Sequence, residues 1–241
     1  MGYLWQGESY EGLIANFIET VTGLGGSWIN PEDGTVNLES PTVLNAVKIL
    51  RRLIRRDISP RSVTDYNERD SLEAFKTGKA LFLRGWPYFW SELKQTDLHD
   101  KVAIALPLSF SSNSGVGCRG GWGFGIPKNG SHPDEAWEAI QYFTSEPVQK
   151  KFVLASGYLP SRRSLFLDPD ITEQYPSMSQ MLEYLEHSSV FRPSLQQYNA
   201  VSKILQTALT QSLISEEDAI VEQAMAKAQR ETQKLLDQEG S

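Results

Sequence analysis

Cysteine occurs once in the 241 residues, at Cys118. An intrachain disulfide is therefore impossible, and the redox compartment stays open. Histidine is nearly as scarce: His99, His132 and His187 lie far apart and share no ligand spacing with Cys118, so no metal site is expected. No stretch approaches the roughly eighteen consecutive apolar residues of a membrane-spanning helix. Basic charge is also short, with 23 Lys and Arg against 30 Asp and Glu. A surface that neutralises a phosphate backbone needs the opposite balance, so no nucleic-acid partner is expected. The first residues, Met1-Gly2-Tyr3-Leu4-Trp5, lack the basic segment, apolar stretch and cleavage site of a signal peptide. The expectation is either a cytosolic protein or a chain that begins inside a longer one.

Apolar residues make up 40% of the chain, enough to fill one large domain or two small ones. Helical spacing recurs. It predicts helices over Tyr10 to Val21, after the Ser40-Pro41 cap, over Ser71 to Lys76, after Ser131-x-x-Asp134, from Ser145 to near Gly157, over Ser177 to Glu186, over Tyr198 to Leu213, and from Ser215 to about Asp237. Ala136, Trp137, Ile140 and Phe143 are expected to form a buried face. Short strands are expected at Lys79 to Arg84 and Lys101 to Pro107, a polar loop at Ser109 to Ser114, and an irregular loop at Leu165 to Pro176. Arg51, Arg52, Arg55 and Arg56 close the second helix, where cations complement its dipole. An α/β domain with a helical C-terminal layer fits this order.

The stretch from Gly117 to Pro127 contains five glycines in eleven residues, with Trp122 and Phe124 among them. Glycine has no Cβ to hold a ligand off, so backbone and an indole face can both lie against a bound molecule. Gly115 to Gly120 spells G-x-G-x-x-G, but a Ser-rich loop precedes it and alternating Trp-Gly-Phe-Gly-Ile follows, which is not the strand-to-helix setting of a dinucleotide loop. Nothing nominates a base for Cys118, and no serine-hydrolase, phosphate-loop or zinc-protease motif is present, so no catalytic residue and no cofactor are expected. Aromatics instead recur beside polar groups: Trp5 and Tyr10, Trp86 and Tyr88, Trp122, and Arg192 near Tyr198. Aromatic faces stack on the C–H faces of pyranoses while arginine and carboxylates bond the hydroxyls, so carbohydrate is the ligand class this mixture fits most simply. A carbohydrate-active enzyme using two of the many carboxylates and an interaction module with its aromatics in the core stand as alternatives.

Five motifs in order carry a family resemblance: Trp5-Gln6-Gly7 with Tyr10-Glu11-Gly12-Leu13, Phe75-x-x-Gly78-Lys79-Ala80, Arg84-x-Trp86-Pro87-Tyr88, Gly120 to Asn129, and Gly157-Tyr158-Leu159-Pro160-Ser161-Arg162. They resemble the extracellular solute-binding proteins of ABC sugar importers, in the trehalose/maltose-binding branch. The resemblance implies a type II periplasmic-binding-protein-like fold with two α/β lobes that close on sugar, binding without catalysis, membrane permease subunits as partners, and a periplasmic or extracytoplasmic location. It carries sugar stacking to Trp86 and Trp122, backbone contacts to Gly120 and Gly121, and hydrogen bonding to Tyr88 and Arg192, with Tyr10 and Glu11 as further candidates. In family order the chain corresponds to the C-terminal portion, with the N-terminal lobe largely missing. Residues 1–122 and 190–241 would belong to the C-terminal lobe. Residues 123–189 would form the crossover and the segment packed on the absent lobe, leaving an apolar surface that favours self-association.

Overall fold

The computed structural model describes residues 1–30, 32–105, 107 and 115–238. Its elements run β1 (Tyr3–Leu4), α1 (Glu11–Gly23), α2 (Pro41–Arg55), α3 (Glu68–Lys76), β2 (Phe82–Leu83), α4 (Phe89–Leu93), β3 (Gly117–Cys118), α5 (Pro133–Phe143), α6 (Glu146–Ser156), α7 (Pro169–Gln174), α8 (Met178–His187), β4 (Ser189–Val190), α9 (Tyr198–Ile214) and α10 (Asp218–Asp237), with 3-10 turns at Arg61–Asp65 and Arg163–Leu167. They fall into two units: Met1–Gly85 with Leu106–Arg119 and Ser189–Ser241, and Trp86–Ala105 with Gly120–Ser188.

In the first unit the helical spacing does what it predicts. Leu13, Ile14, Phe17, Ile18 and Val21 of α1 are buried, and α1, α2 and α9 pack on one another, with α10 against α2 and α9. Ser40 Oγ accepts from the Val43 backbone at 3.4 Å with Pro41 in the first turn, so α2 starts where the cap placed it. Asn67 and Asp70 close a reciprocal capping box at α3. Two parallel pairs supply the sheet character, β1 with β2 and β3 with β4, each only two residues long. The arginines ending α2 reach across to α10: Arg51 is buried, pairs with Asp218 and donates to the Glu217 carbonyl at 2.8 Å, while Arg55 pairs with Glu216 at 3.3 Å.

The second unit has its own core, in which Val153, Leu165, Phe166, Ile171, Tyr175 and Met178 cluster, with Trp90, Leu154, Leu159 and Met181 packed against it. This corrects the irregular loop expected at Leu165 to Pro176, where a 3-10 turn and α7 bury three of those six side chains and Tyr175, just after α7, buries a fourth. Asp168 caps α7 through the Asp170 and Ile171 backbone amides, a local signal masked by the prolines around it. Helix α6 ends at Gly157, as expected; its φ of +74° is the left-handed cap that glycine adopts most readily.

Three other expectations fail. Residues 101–105 form no strand: Val102 and Ile104 alternate correctly, but among the described residues no strand pairs with them. Ser131 does not cap α5, whose flanking residue is His132 and whose first turn is set by Pro133. Ala136, Trp137, Ile140 and Phe143 give no buried face, since among the described residues α5 buries nothing. The expected loop at Ser109 lies outside the described residues.

Candidate ligand-binding site

Trp86-Pro87-Tyr88 stands immediately before α4 in the second unit. The Phe89, Trp90 and Ser91 amides bond back to the Trp86, Pro87 and Tyr88 carbonyls at 3.0, 3.2 and 3.0 Å. These turns, with Phe89 and Leu93 buried beneath them, set where the two preceding aromatics leave the backbone. Trp86 is half-buried and lies so close to Gly120 that a Cβ there would sit 2.9 Å from two indole carbons. A Cβ at Gly120 would require the Trp86 ring to shift, so glycine lets the indole lie directly against the backbone. A Cβ on Gly121 would meet nothing within 4 Å, and Trp122 is 95% exposed. An indole in water is unfavourable by about 25 cal/mol for each Å² of apolar surface. Both faces of this ring are therefore open to an apolar partner.

Tyr88 is held by its neighbours. Its ring stacks on Tyr158 at a centroid distance of 4.8 Å and 14° and meets Phe89 edge-on at 5.0 Å. Tyr158, which no motif singled out as a site residue, follows the left-handed Gly157, and that glycine also approaches Ser91 closely enough that a Cβ would lie 2.9 Å from the Ser91 Cβ. The signal was present as Gly157-Tyr158 and was readable only as the end of a helix.

The other candidates lie in the first unit. Glu11, in the first turn of α1, gathers groups from α9 and from the segment after β4. Its Oε2 accepts from Tyr198 Oη at 2.8 Å, its Oε1 accepts from Ser202 Oγ, and Arg192 Nε makes a charge contact with it at 3.0 Å without hydrogen-bond alignment. Arg192 Nη1 donates to the Arg119 carbonyl at 3.1 Å. Burial, and then the bond to Glu11, push the Tyr198 hydroxyl up in pKa, which keeps it a neutral donor. Tyr10 does not join this cluster through any of these bonds. It donates to Glu68 Oε2 at 2.7 Å, and burial together with Glu68 pushes its hydroxyl up as well.

Trp5 corrects the sequence reading. It is fully buried, and its indole donates to Ser59 Oγ at 3.1 Å, so it supports the fold and is no ligand face. Gln6 is buried beside it, donating to Ser71 Oγ at 2.8 Å and to the Arg84 carbonyl at 2.9 Å. Arg84 in turn donates to Gln6 Oε1 at 2.9 Å and, through Nε and Nη2, to both oxygens of Glu19 at 3.1 and 2.6 Å. Burial alone would lower the Arg84 pKa, but Glu19 outweighs it and the net direction is upward. Glu19 also accepts from the Cys118 amide at 3.0 Å. This network was missed; its trace was Glu19, a carboxylate next to the buried apolar positions Phe17, Ile18 and Val21 of α1.

The described residues contain no group of His, Cys, Asp and Glu able to hold a metal ion. No described helix is long and apolar enough to cross a membrane. Cys118 is buried, and burial pushes its thiol to about 11, so at neutral pH it is protonated and a poor nucleophile. The second unit offers an exposed indole and a second indole against bare backbone, and the first unit carries a charged cluster rich in hydrogen-bonding groups.

Known proteins resemble the chain in sequence and in fold. A "Probable ABC transporter-binding protein" of Deinococcus radiodurans is 25% identical over 214 residues, 87% of this chain and 50% of that protein. The chain thus spans about half the length of that curated relative. The maltose-bound structure of T. maritima MalE3 superposes with a TM-score of 0.88 at 29% identity, covering 97% of this chain and 60% of that one. A Thermotoga lettingae ABC transporter solute-binding protein bound with α-D-tagatose, at 22% identity, a TM-score of 0.84 and coverage of 98% and 59%, has the same fold. The fold is accordingly periplasmic-binding-protein-like. Residues 1–150 match the family described as bacterial extracellular solute-binding protein, and the chain belongs to that family.

Proposed function

We propose that the chain is the C-terminal portion of the carbohydrate-binding receptor of an ABC importer, in the trehalose/maltose-binding branch. It binds a di- or oligosaccharide without catalysis, outside the cytoplasm, and delivers it to permease subunits in the membrane. In the whole protein, residues 1–122 with 190–241 belong to the C-terminal lobe, and residues 123–189 cross over and pack on the other lobe. The observation that carries the sugar reading is Trp122, 95% exposed and followed by Gly123, with Gly120 against Trp86 two residues earlier. A pyranose presents one apolar face and a rim of hydroxyls, and an open indole beside bare backbone matches both. Tyr88 supplies a rigid aromatic edge to the same unit. Arg192, Glu11 and Tyr10 supply the polar groups of the first unit. The maltose held by the T. maritima neighbour supports the ligand class.

Saturation-transfer NMR and tryptophan fluorescence, with maltose and trehalose at millimolar concentration, test the reading. The expected result is transfer to the sugar C–H protons and a fluorescence change that Trp122→Ala abolishes. No transfer from any disaccharide, or a titration unchanged in Trp122→Ala, overturns the assignment.

A further inference from the structure

The Glu19 side chain on α1 is 14% exposed, and its two oxygens serve two separate segments of the first unit. Arg84 grips it with both arms of its fork, Nη2 donating to Oε1 at 2.6 Å and Nε to Oε2 at 3.1 Å. The Cys118 amide donates to the same Oε1 at 3.0 Å. Gln6, fully buried, accepts from Arg84 Nη1 and donates to the Arg84 carbonyl, both at 2.9 Å. The Arg84 amide donates to the Leu4 carbonyl at 2.8 Å, so this residue is held by backbone and side chain alike. On the other segment, β3 pairs with β4, and the Arg119 amide donates to the Val190 carbonyl at 2.8 Å.

Burial strips both charges of hydration, so such a pair is weak support for stability, and apolar side chains of the same volume would often serve the fold as well. What a two-pronged pair supplies is direction. Both residues that Glu19 fixes stand two positions before a residue of the sugar wall: Arg84 before Trp86, and Cys118 before Gly120. The chain leaves the first unit after Gly85 and again after Arg119. Two residues of extended chain span at most about 7 Å, which leaves Trp86 and Gly120 little freedom once Arg84 and Cys118 are fixed. Within the second unit those two residues lie against one another, a Cβ on Gly120 falling 2.9 Å from the indole. We propose that Glu19 is a positioning residue for sugar binding, fixing together the two segments that lead to Trp86 and Gly120 without itself touching the ligand. The inference rests on the reading of that pair as a sugar wall.

Fluorine NMR tests the placement without any sugar, on the chain with its six tryptophans labelled as 5-fluorotryptophan and each line assigned by Trp→Phe replacement. Glu19→Gln removes one of the two oxygens that Arg84 holds, and Arg84→Lys keeps the charge but loses the fork. Each is expected to shift or broaden the Trp86 line while the Trp28 line, from an indole buried in the first unit, keeps its folded position. If Glu19→Gln fails to fold with its cation unpaired, Arg84→Lys decides. Val47→Ala, a cavity on the buried face of α2 outside this network, should lower stability and leave the Trp86 line unmoved. An unmoved Trp86 line in the folded variants overturns the proposal, and so does a line that Val47→Ala moves equally. In the maltose titration Glu19→Gln is expected to weaken binding about fivefold, the loss of one well-placed ring, and Val47→Ala to leave it unchanged. Parent-like affinity in folded Glu19→Gln also overturns the proposal. A parent chain that binds no disaccharide overturns the sugar reading instead, and the Trp86 line still shows whether Glu19 places that residue.

Discussion

At Gly120, the missing Cβ lets the Trp86 indole lie against the backbone. The Gly120→Ala methyl would sit 2.9 Å from the far rim of the indole, and that rim can swing aside because it is the free end of a side chain. The variant is therefore expected to lose less than about 1 kcal/mol of stability while its sugar-induced fluorescence change weakens at least severalfold. Urea unfolding and the sugar titration, run on the same sample, check the two halves. A large loss of stability would mean that the contact is structural, and an unchanged titration would mean that the Trp86 position is irrelevant to binding. The sequence made Trp86, Gly120 and Trp122 legible because aromatic and glycine are unusual neighbours. Trp5 looked equally suitable, yet its indole is sealed against Ser59, and nothing local distinguishes an indole that will be buried from one that will not.

Among the elements, helix ends were read better than their partners. Ser40-Pro41 and Gly157 act through their own backbone geometry, so their sequence signatures carry over directly. Gly157→Ala is expected to destabilise the second unit by about 2 kcal/mol, because its left-handed backbone disfavours a Cβ and the Ser91 Cβ, fixed close to its own backbone, cannot retreat. A drop in melting temperature of several degrees would confirm this, and an unchanged transition would refute it. The arginines of α2 illustrate the opposite case. Their position suggested only a complement to their own helix dipole, whereas Arg51 and Arg55 also hold the start of α10, more than 160 residues away. Partners that distant leave no mark in local spacing.

Across the whole molecule, the thiol and the tyrosine hydroxyls with shifted pKa lean one way. Cys118, Tyr3, Tyr10 and Tyr198 all belong to the first unit, and burial is the leading cause that raises each. The unfolded thiol ionises near 9.0 and the folded one near 11, so its contribution is intact below pH 9 and is lost as pH rises through 11. Two pH units amount to about 3 kcal/mol for Cys118, and the tyrosines act in the same direction from their ordinary value near 10. Stability by urea unfolding is expected to be flat from pH 7 to about 8.5 and to fall steeply by about pH 10.5. Cys118→Ala should flatten the early part of that fall. A parent profile level through pH 10.5 would contradict the burial of these groups.

Composition and periodicity by themselves determined that the chain has no intrachain disulfide, where nearly every helix lies, and which aromatics sit beside glycine. Each of these depends on residues within a turn or two of one another. Only the tertiary structure decided which apolar residues are covered. It buried Trp5, gave Leu165 and Ile171 a core, left Val102 and Ile104 without a strand partner, and exposed the α5 face. Burial and strand pairing are properties of what comes to lie opposite a residue. Amphipathic spacing states that a face seeks a partner, and the presence of that partner is settled by the rest of the fold.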